Sequence, residues 1–292
     1  MMMVLALAAH GCGVVPEKPW ERAGTEAGQE VVGPDGGVLV WVPAGSFRMG
    51  TTDEEARYAV DKLNAEPEWL TDEQPARQVQ MGGFWLGKHE VTNAQYRAFC
   101  QATGRGFPAE SAQGDDHPVV FASWGDAKAY SEHHGLSLPA EAQWEYAARG
   151  PESRIFPWGD DWDPKRLCWI LNKGPGGWTF PVGSFPSGVS WCGALDMVGN
   201  VWEWCADWYQ VDYYAQGPVQ NPPGPSVGQA STIVMTMARE GQLVVIEGKV
   251  RVLRGGSWNF SDPGYFRCAY RFFHPPTYRY GRSGFRCART VR

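Results

Sequence analysis

The sequence predicts an α+β fold in a single loop-rich domain, and three observations lead there. Short apolar segments of strand length lie near both ends of the chain, and three capped helical segments fall between residues 92 and 150. Residues 151–200 are dominated by Gly, Pro and Trp and show no period. The order is strands, helices, loops, strands, without the alternation that builds a parallel α/β sheet, and no internal repeat is visible.

Each element has a local reason. Val38-Leu39-Val40-Trp41-Val42 is a continuous apolar run, turned by Pro43-Ala44-Gly45 into a second strand at Ser46–Gly50. Thr51–Pro75 is charged and reads as a loop with room for a short helix, and Gln78–Leu86 alternates again. Thr92 is an N-cap for a helix over 93–103, with Tyr96, Phe99 and Cys100 on one face. Ser123 caps a helix over 124–134 stopped by Gly135. Pro139 suits the first turn of a helix over 139–149 stopped by Gly150. Strands are predicted again at Arg251–Arg254 and Gly284–Cys287. The apolar runs Thr232–Met237 and Leu243–Glu247 form a hairpin insertion over 230–249, placed to cover a neighbouring cleft, dock a partner or decorate the body.

Composition narrows the function classes. The 292 residues carry a net charge of −6, so no basic groove for nucleic acid is expected. Gly (36), Pro (22) and Trp (15) are abundant, which suits ordered loops pinned by large rings. Residues 1–12 read as an export segment: Met1–Ala9 is apolar, and Ala8-Ala9-His10-Gly11-Cys12 resembles a bacterial lipoprotein processing site with Cys12 as the lipidated residue. Residues 13–37 then read as a tether and 38–292 as the domain. This places the protein in the cell envelope, with membrane contact only through that anchor. Removing Cys12 leaves Cys100, Cys168, Cys192, Cys205, Cys268 and Cys287, an even six without zinc spacing, which in an oxidising compartment predicts up to three disulfides of open connectivity.

Eight segments, in order, resemble the formylglycine-generating (sulfatase-modifying factor) family. They are Trp41–Gly50, Glu90–Tyr96, His117–Val120 with Ser123-Trp124, and Leu138–Tyr146. They continue through Phe156–Gly159, Met197–Trp204, Arg254–Trp258 and Gly284–Cys287. The resemblance implies a variant of the C-type lectin fold. It also implies a copper-binding cysteine pair just after the Gly-Gly-Ser-aromatic motif, since soft thiolates select Cu(I). Here those positions align with Phe260 and Tyr265, so neither formylglycine synthesis nor copper is expected.

The resemblance further implies a structural calcium held by the Asp196 and Glu203 carboxylates and the Gly199 and Val201 carbonyls, a donor set suited to that ion. A second family calcium site near Trp169–Phe180 is not recognisable, as only Asn172 and Thr179 offer side-chain oxygens there. In catalytic relatives the stretch after the Gly-Gly-Ser motif lines the substrate cleft, and in retroelement-diversified ligand-binding proteins of this fold it is the variable segment. Here nine aromatics lie between Trp258 and Tyr280, and about half are expected to be buried. The candidate binding cleft is Trp202, Ser257, Trp258, Phe260, Tyr265, Arg271, His274 and Tyr278, with an unknown protein, peptide or glycan as ligand. Two other readings stand beside this one: an oxidation other than formylglycine synthesis in the same cleft, and a structural envelope component. Ser257, Asp262 and His274 have the residue types of a hydrolase triad, with nothing in the sequence to fix their geometry. His133 and His134, adjacent on a helix, read as a solvated face.

Overall fold

A computed structural model describes residues 18–111, 113–174, 176–236 and 243–291. Cys12 and the export segment lie outside these residues, as does the turn of the 230–249 hairpin. The first sheet contains β1 (Glu30–Val32), β2 (Val38–Val42), β5 (Phe84–Gly87) and β12 (Ala288–Thr290), in that order and antiparallel throughout. Alternate side chains of β2 feed different cores. Val40 and Val42 join Phe84 and Leu86 on one face, while Leu39 and Trp41 join Trp85 on the other. A strand buried on both faces reads as an unbroken apolar run, as this one does. β3 (Gly45–Met49) pairs with β4 (Arg77–Met81), so the alternating 78–86 stretch is two strands in different sheets.

The helices follow their caps. Between β3 and β4, α1 (Asp53–Leu63) starts at a capping box of Thr52 and Glu55, and a 3-10 helix spans Pro67–Glu73, more regular structure than the charged sequence predicts. In α2 (Asn93–Thr103) the Thr92 hydroxyl accepts from the Gln95 N–H, and Gly104 closes the helix in the left-handed region. In α3 (Trp124–His133) Ser123 and Asp126 cap reciprocally. α4 (Glu141–Arg149) begins two residues later than Pro139: Ala140 is its extended N-cap, with its N–H held by Gln143, and the Glu141 N–H donates to Asp207.

The second sheet has the order β10 (Phe272–His274), β9 (Arg251–Arg254), β6 (Trp202–Trp208), β11 (Ser283–Gly284), with β11 parallel to β6. A short α5 (Tyr213–Gln216) follows β6, and β7 (Ala230–Thr236) and β8 (Leu243–Lys249) form the expected hairpin as a sheet of their own.

Three expectations need correction. Residues 30–37 are not a tether: β1 pairs with β2, and the Trp85 indole donates to the Arg22 carbonyl, so the domain begins upstream of residue 38. Phe285–Cys287 is not strand. There the chain crosses from the second sheet to the first, the Phe285 and Cys287 carbonyls accept from Val91 and Gly87, and the Arg286 side chain runs inward. The six described cysteines form no disulfide. Each thiol is enclosed in its own packing: Cys192 contacts the Ala147 carbonyl, Cys287 the Ser131 hydroxyl, and Cys168 faces the Trp178 carbonyl.

Candidate functional site

Buried arginines frame the site. Arg254 ends β9 fully buried; it donates to the Cys268, Ala269 and Tyr270 carbonyls and to Glu145 Oε2. Arg267 pairs with Glu73, and Arg271 with Glu141. These pairs fix the backbone of the 267–271 segment. After Arg254 the chain turns through Gly255 (φ +98°) and Gly256 (φ +78°), where a Cβ would lie 2.8 Å from the Met197 carbonyl and 2.6 Å from the Phe266 ring. The turn joins two sequence motifs: the Gly199 N–H donates to the Gly255 carbonyl and the Trp258 N–H to the Asn200 carbonyl.

The rings then meet one another. Phe260 and Tyr265 stand 4.5 Å apart, with Trp69 4.2 Å from Tyr265, Tyr270 5.2 Å from Tyr265, and Trp202 5.4 Å from Phe260. Trp202 stacks on Phe272 at 4.8 Å; Phe272 meets His274 edge-on, and His274 stacks on Tyr278 at 3.8 Å. Arg282 lies over Phe260 and Tyr280. Only Phe266 and Tyr270 of the nine aromatics are buried; the others keep part of their ring exposed, so fewer are buried than the sequence suggests. The structure thus brings Trp202, Phe260, Tyr265, His274 and Tyr278 into one chain of rings. Trp258 turns outward onto Trp178 at 5.2 Å, and Ser257 is buried and donates to Asn259. Arg271, expected in the cleft, is instead buried, its guanidinium turned to Glu141 and to the Asp72 and Gln210 carbonyls. Trp69 and Arg282 were missed by the sequence reading, since Trp69 comes from a segment without recognisable periodicity.

Two polar features mark this region. The Trp202 indole N–H and both His274 ring nitrogens are buried without a hydrogen-bond partner, unusual for polar atoms in a packed core. Burial, reinforced by Arg282, pushes the His274 pKa down to about 3, so its ring is neutral. Every described cysteine is buried, and burial raises each thiol pKa, to about 12 for Cys168 and Cys268. Such thiols are poor nucleophiles and poor metal ligands.

The expected calcium residues lie in a buried acidic cluster. Asp196, at φ +54°, accepts from the Gly183 N–H at 2.6 Å. Glu203 accepts from Arg286 Nε and Nη2 at 2.6 and 2.7 Å and from the Trp144 indole. Glu90 accepts from Asn200, while its second oxygen is buried without a partner. Burial raises the Asp196 pKa to about 6; burial and the neighbouring Asp196 and Glu203 raise that of Glu90. Three carboxylates therefore lie near one guanidinium that pairs with Glu203 alone, and carboxylate oxygens left in such excess are chemically suited to a hard dication. Among the described residues no three His, Cys, Asp or Glu side chains converge on a metal position, so backbone carbonyls such as those of Gly199 and Val201 are needed to complete a shell. Of the second stretch, Asn172 is committed to the Trp169 N–H and the Pro164 and Leu167 carbonyls. His133 is exposed and His134 half-buried, their ring centres 4.9 Å apart.

Residues 32–291 match the sulfatase-modifying factor enzyme 1-like domain. The chain belongs to that family. Among its relatives, the formylglycine-generating enzyme of Streptomyces coelicolor is 33% identical over 85% of this chain and 88% of its own length. Among solved structures, PvdO from Pseudomonas aeruginosa aligns over 92% of this chain and 100% of its own, with a TM-score of 0.68 and 26% identity. Treponema denticola variable protein 1 aligns over 87% and 95%, with a TM-score of 0.65 at 21% identity, a likeness of fold alone. The fold is the α+β arrangement predicted from sequence.

Proposed function

We propose that this member of the family is a binding or accessory module, taking a protein, peptide or glycan through the ring-lined surface between Trp258 and Tyr280. One observation carries the reading. At the positions the family resemblance gives to a copper-binding cysteine pair, the rings of Phe260 and Tyr265 pack against each other, and every described thiol is buried and held protonated. Rings that keep partly exposed faces offer contact area at low entropic cost. The test is capture from the source cell's envelope extract by immobilised protein. Capture that survives Asp196→Ala and is lost in the Tyr265→Ala/Tyr278→Ala double variant supports the reading; an unchanged profile in the double variant sinks it.

A second reading, an oxidation other than formylglycine synthesis, draws on the unpartnered Trp202 and His274 nitrogens, which a small reactive molecule would satisfy. Oxygen uptake with thiol-bearing peptides separates the two, and none is expected.

The Asp196 loop is assigned a structural calcium, whose charge would offset the excess of carboxylates over the Arg286 guanidinium. Calcium addition should raise the melting temperature, and Asp196→Ala should abolish that rise. The proposal also includes export and lipidation at Cys12, resting on residues 1–12 alone, since six unpaired thiols are equally at home in a reducing compartment. Fatty-acid labelling lost in Cys12→Ser tests it. Among the described residues no helix is long and apolar enough to cross a membrane.

A further inference from the structure

We propose that the hollow between the 113–117 loop and the 176–184 loop is a binding site for a neutral carbohydrate ring. It has a volume of about 670 Å³ and is lined by Gln113, His117, Trp178, Phe180, Pro181 and Ser184 together with Gly176. It lies beside the ring-lined cleft, joined to it through the Trp178–Trp258 contact, but shares no lining residue with it.

The polar groups set the ligand chemistry. The Thr179 hydroxyl, itself buried, donates to Gln113 Oε1 at 2.9 Å and lies 2.9 Å from His117 Nδ1. Its one hydrogen is committed to Gln113, so it can only accept from His117. Nδ1 therefore carries the ring proton and Nε2 is a bare acceptor. Burial lowers the His117 pKa from its usual value, against the nearby Asp116, so the ring stays neutral near pH 7. With its carbonyl taken by Thr179, Gln113 keeps an NH2 group as the donor end. The Ser184 hydroxyl donates to the Pro181 carbonyl at 2.6 Å and is left with lone pairs that accept.

Acceptor, donor and acceptor around flat indole and phenyl faces match adjacent hydroxyls, which both donate and accept, on a ring whose C–H face is apolar. No Asp, Glu, Lys or Arg lines the hollow, which disfavours a charged ligand. None of the lining residues lies in a strand, so an extended peptide has no sheet edge to pair with.

The walls are preorganised. Buried Asn93 accepts from the Ser111 hydroxyl and donates to the Gly114 carbonyl, and its N–H donates to the His117 carbonyl. On the other wall the Phe180 N–H donates to Asn200, and the Val182 N–H to the Asp116 carbonyl. Trp178 is backed by Gly281, where a Cβ would come within 2.5 Å of the indole. A ligand would meet side chains already fixed, which lowers the entropic cost of binding.

The experiment is saturation-transfer NMR on the intact protein with maltose, cellobiose, lactose and N,N′-diacetylchitobiose, and with the neutral peptide acetyl-Ala-Pro-Tyr-amide. At least one disaccharide is expected to receive saturation on its ring C–H protons, with a Kd on the order of 1 mM. Trp178→Ala should weaken it about tenfold or more. Trp178→Phe, which keeps a flat face, should retain most of the affinity. Ser184→Glu, at an exposed position that should not disturb folding, should also weaken it by placing a charge in a neutral site. Tyr265→Ala should leave sugar binding intact, which separates this site from the cleft proposed above. Transfer to none of the sugars, transfer to the peptide alone, or an unchanged Kd in both Trp178→Ala and Ser184→Glu would overturn the proposal.

Discussion

The arginine frame and the ring cluster occupy the same stretch of chain and obey opposite rules. Arg254, Arg267, Arg271 and Arg286 are buried, and each guanidinium meets a carboxylate: Glu145, Glu73, Glu141 and Glu203 respectively. Between them, Trp258, Phe260, Tyr265, Phe272 and Tyr278 touch mainly other rings, and the Trp202 and His274 nitrogens lack partners. The first set positions the backbone and spends nearly all of its donors on carboxylates and carbonyls, Arg254 Nε being the exception. The second covers the frame with adaptable surface. A fold built this way can exchange its rings without losing its frame, so its chemistry must be read from the rings.

That contrast can be broken at several points. The greatest loss should come from Arg286→Ala, which strips Glu203 of its ion-pair partner and removes the cation nearest Asp196 and Glu90. Leaving buried charge unpaired costs about 3–5 kcal/mol, so denaturant titration should find the variant barely folded. Tyr265→Ala, which removes ring contacts to Trp69, Phe260 and Tyr270, should cost about 1–2 kcal/mol by the same measurement. The protein should stay folded while losing capture. If Arg286→Ala proved the milder of the two, the division between frame and surface would be wrong.

A pH series sharpens the frame itself. Burial first, and Glu141 second, push the Asp207 pKa up to about 7. The native state therefore holds a proton there that the unfolded chain releases near pH 4. Stability from this group is full below that pH and is lost as pH rises through about 7. Asp207→Asn cannot titrate and keeps an oxygen for the Glu141 N–H. Relative to the parent it should gain on the order of 1 kcal/mol per pH unit between about pH 4 and 7 by denaturant titration, and nothing further above that. The least effect belongs to the exposed Lys128–Glu132 pair on α3, where Lys128→Ala should change stability by less than about 0.5 kcal/mol.

Much of this was legible in the sequence where physics is local. Thr92, Ser123 and the glycines after α3 and α4 announce their helices through capping alone, and β2 announces itself as an apolar run. Its partner β1 was not legible, because Glu30–Val32 is too short to show a period and is fixed only by pairing with Val38–Val40. The strand at Trp202–Trp208 was hidden for a different reason: it is buried nearly throughout, so no alternation marks it. At the site, Phe260 and Tyr265 follow from their place after Gly-Gly-Ser-Trp. Trp69 arrives from nearly two hundred residues away, and the carboxylates that claim Arg271 lie in α4 and the Pro67–Glu73 helix. Long-range ion pairing leaves no trace in sequence spacing.

On the proposed function, this member of the family keeps the fold and binds through its cleft without a thiolate redox centre. Elemental analysis by mass spectrometry of protein purified without chelator tests it most directly. Calcium near one equivalent is expected, with copper and iron only at trace level; copper or iron at one per chain would overturn the proposed function.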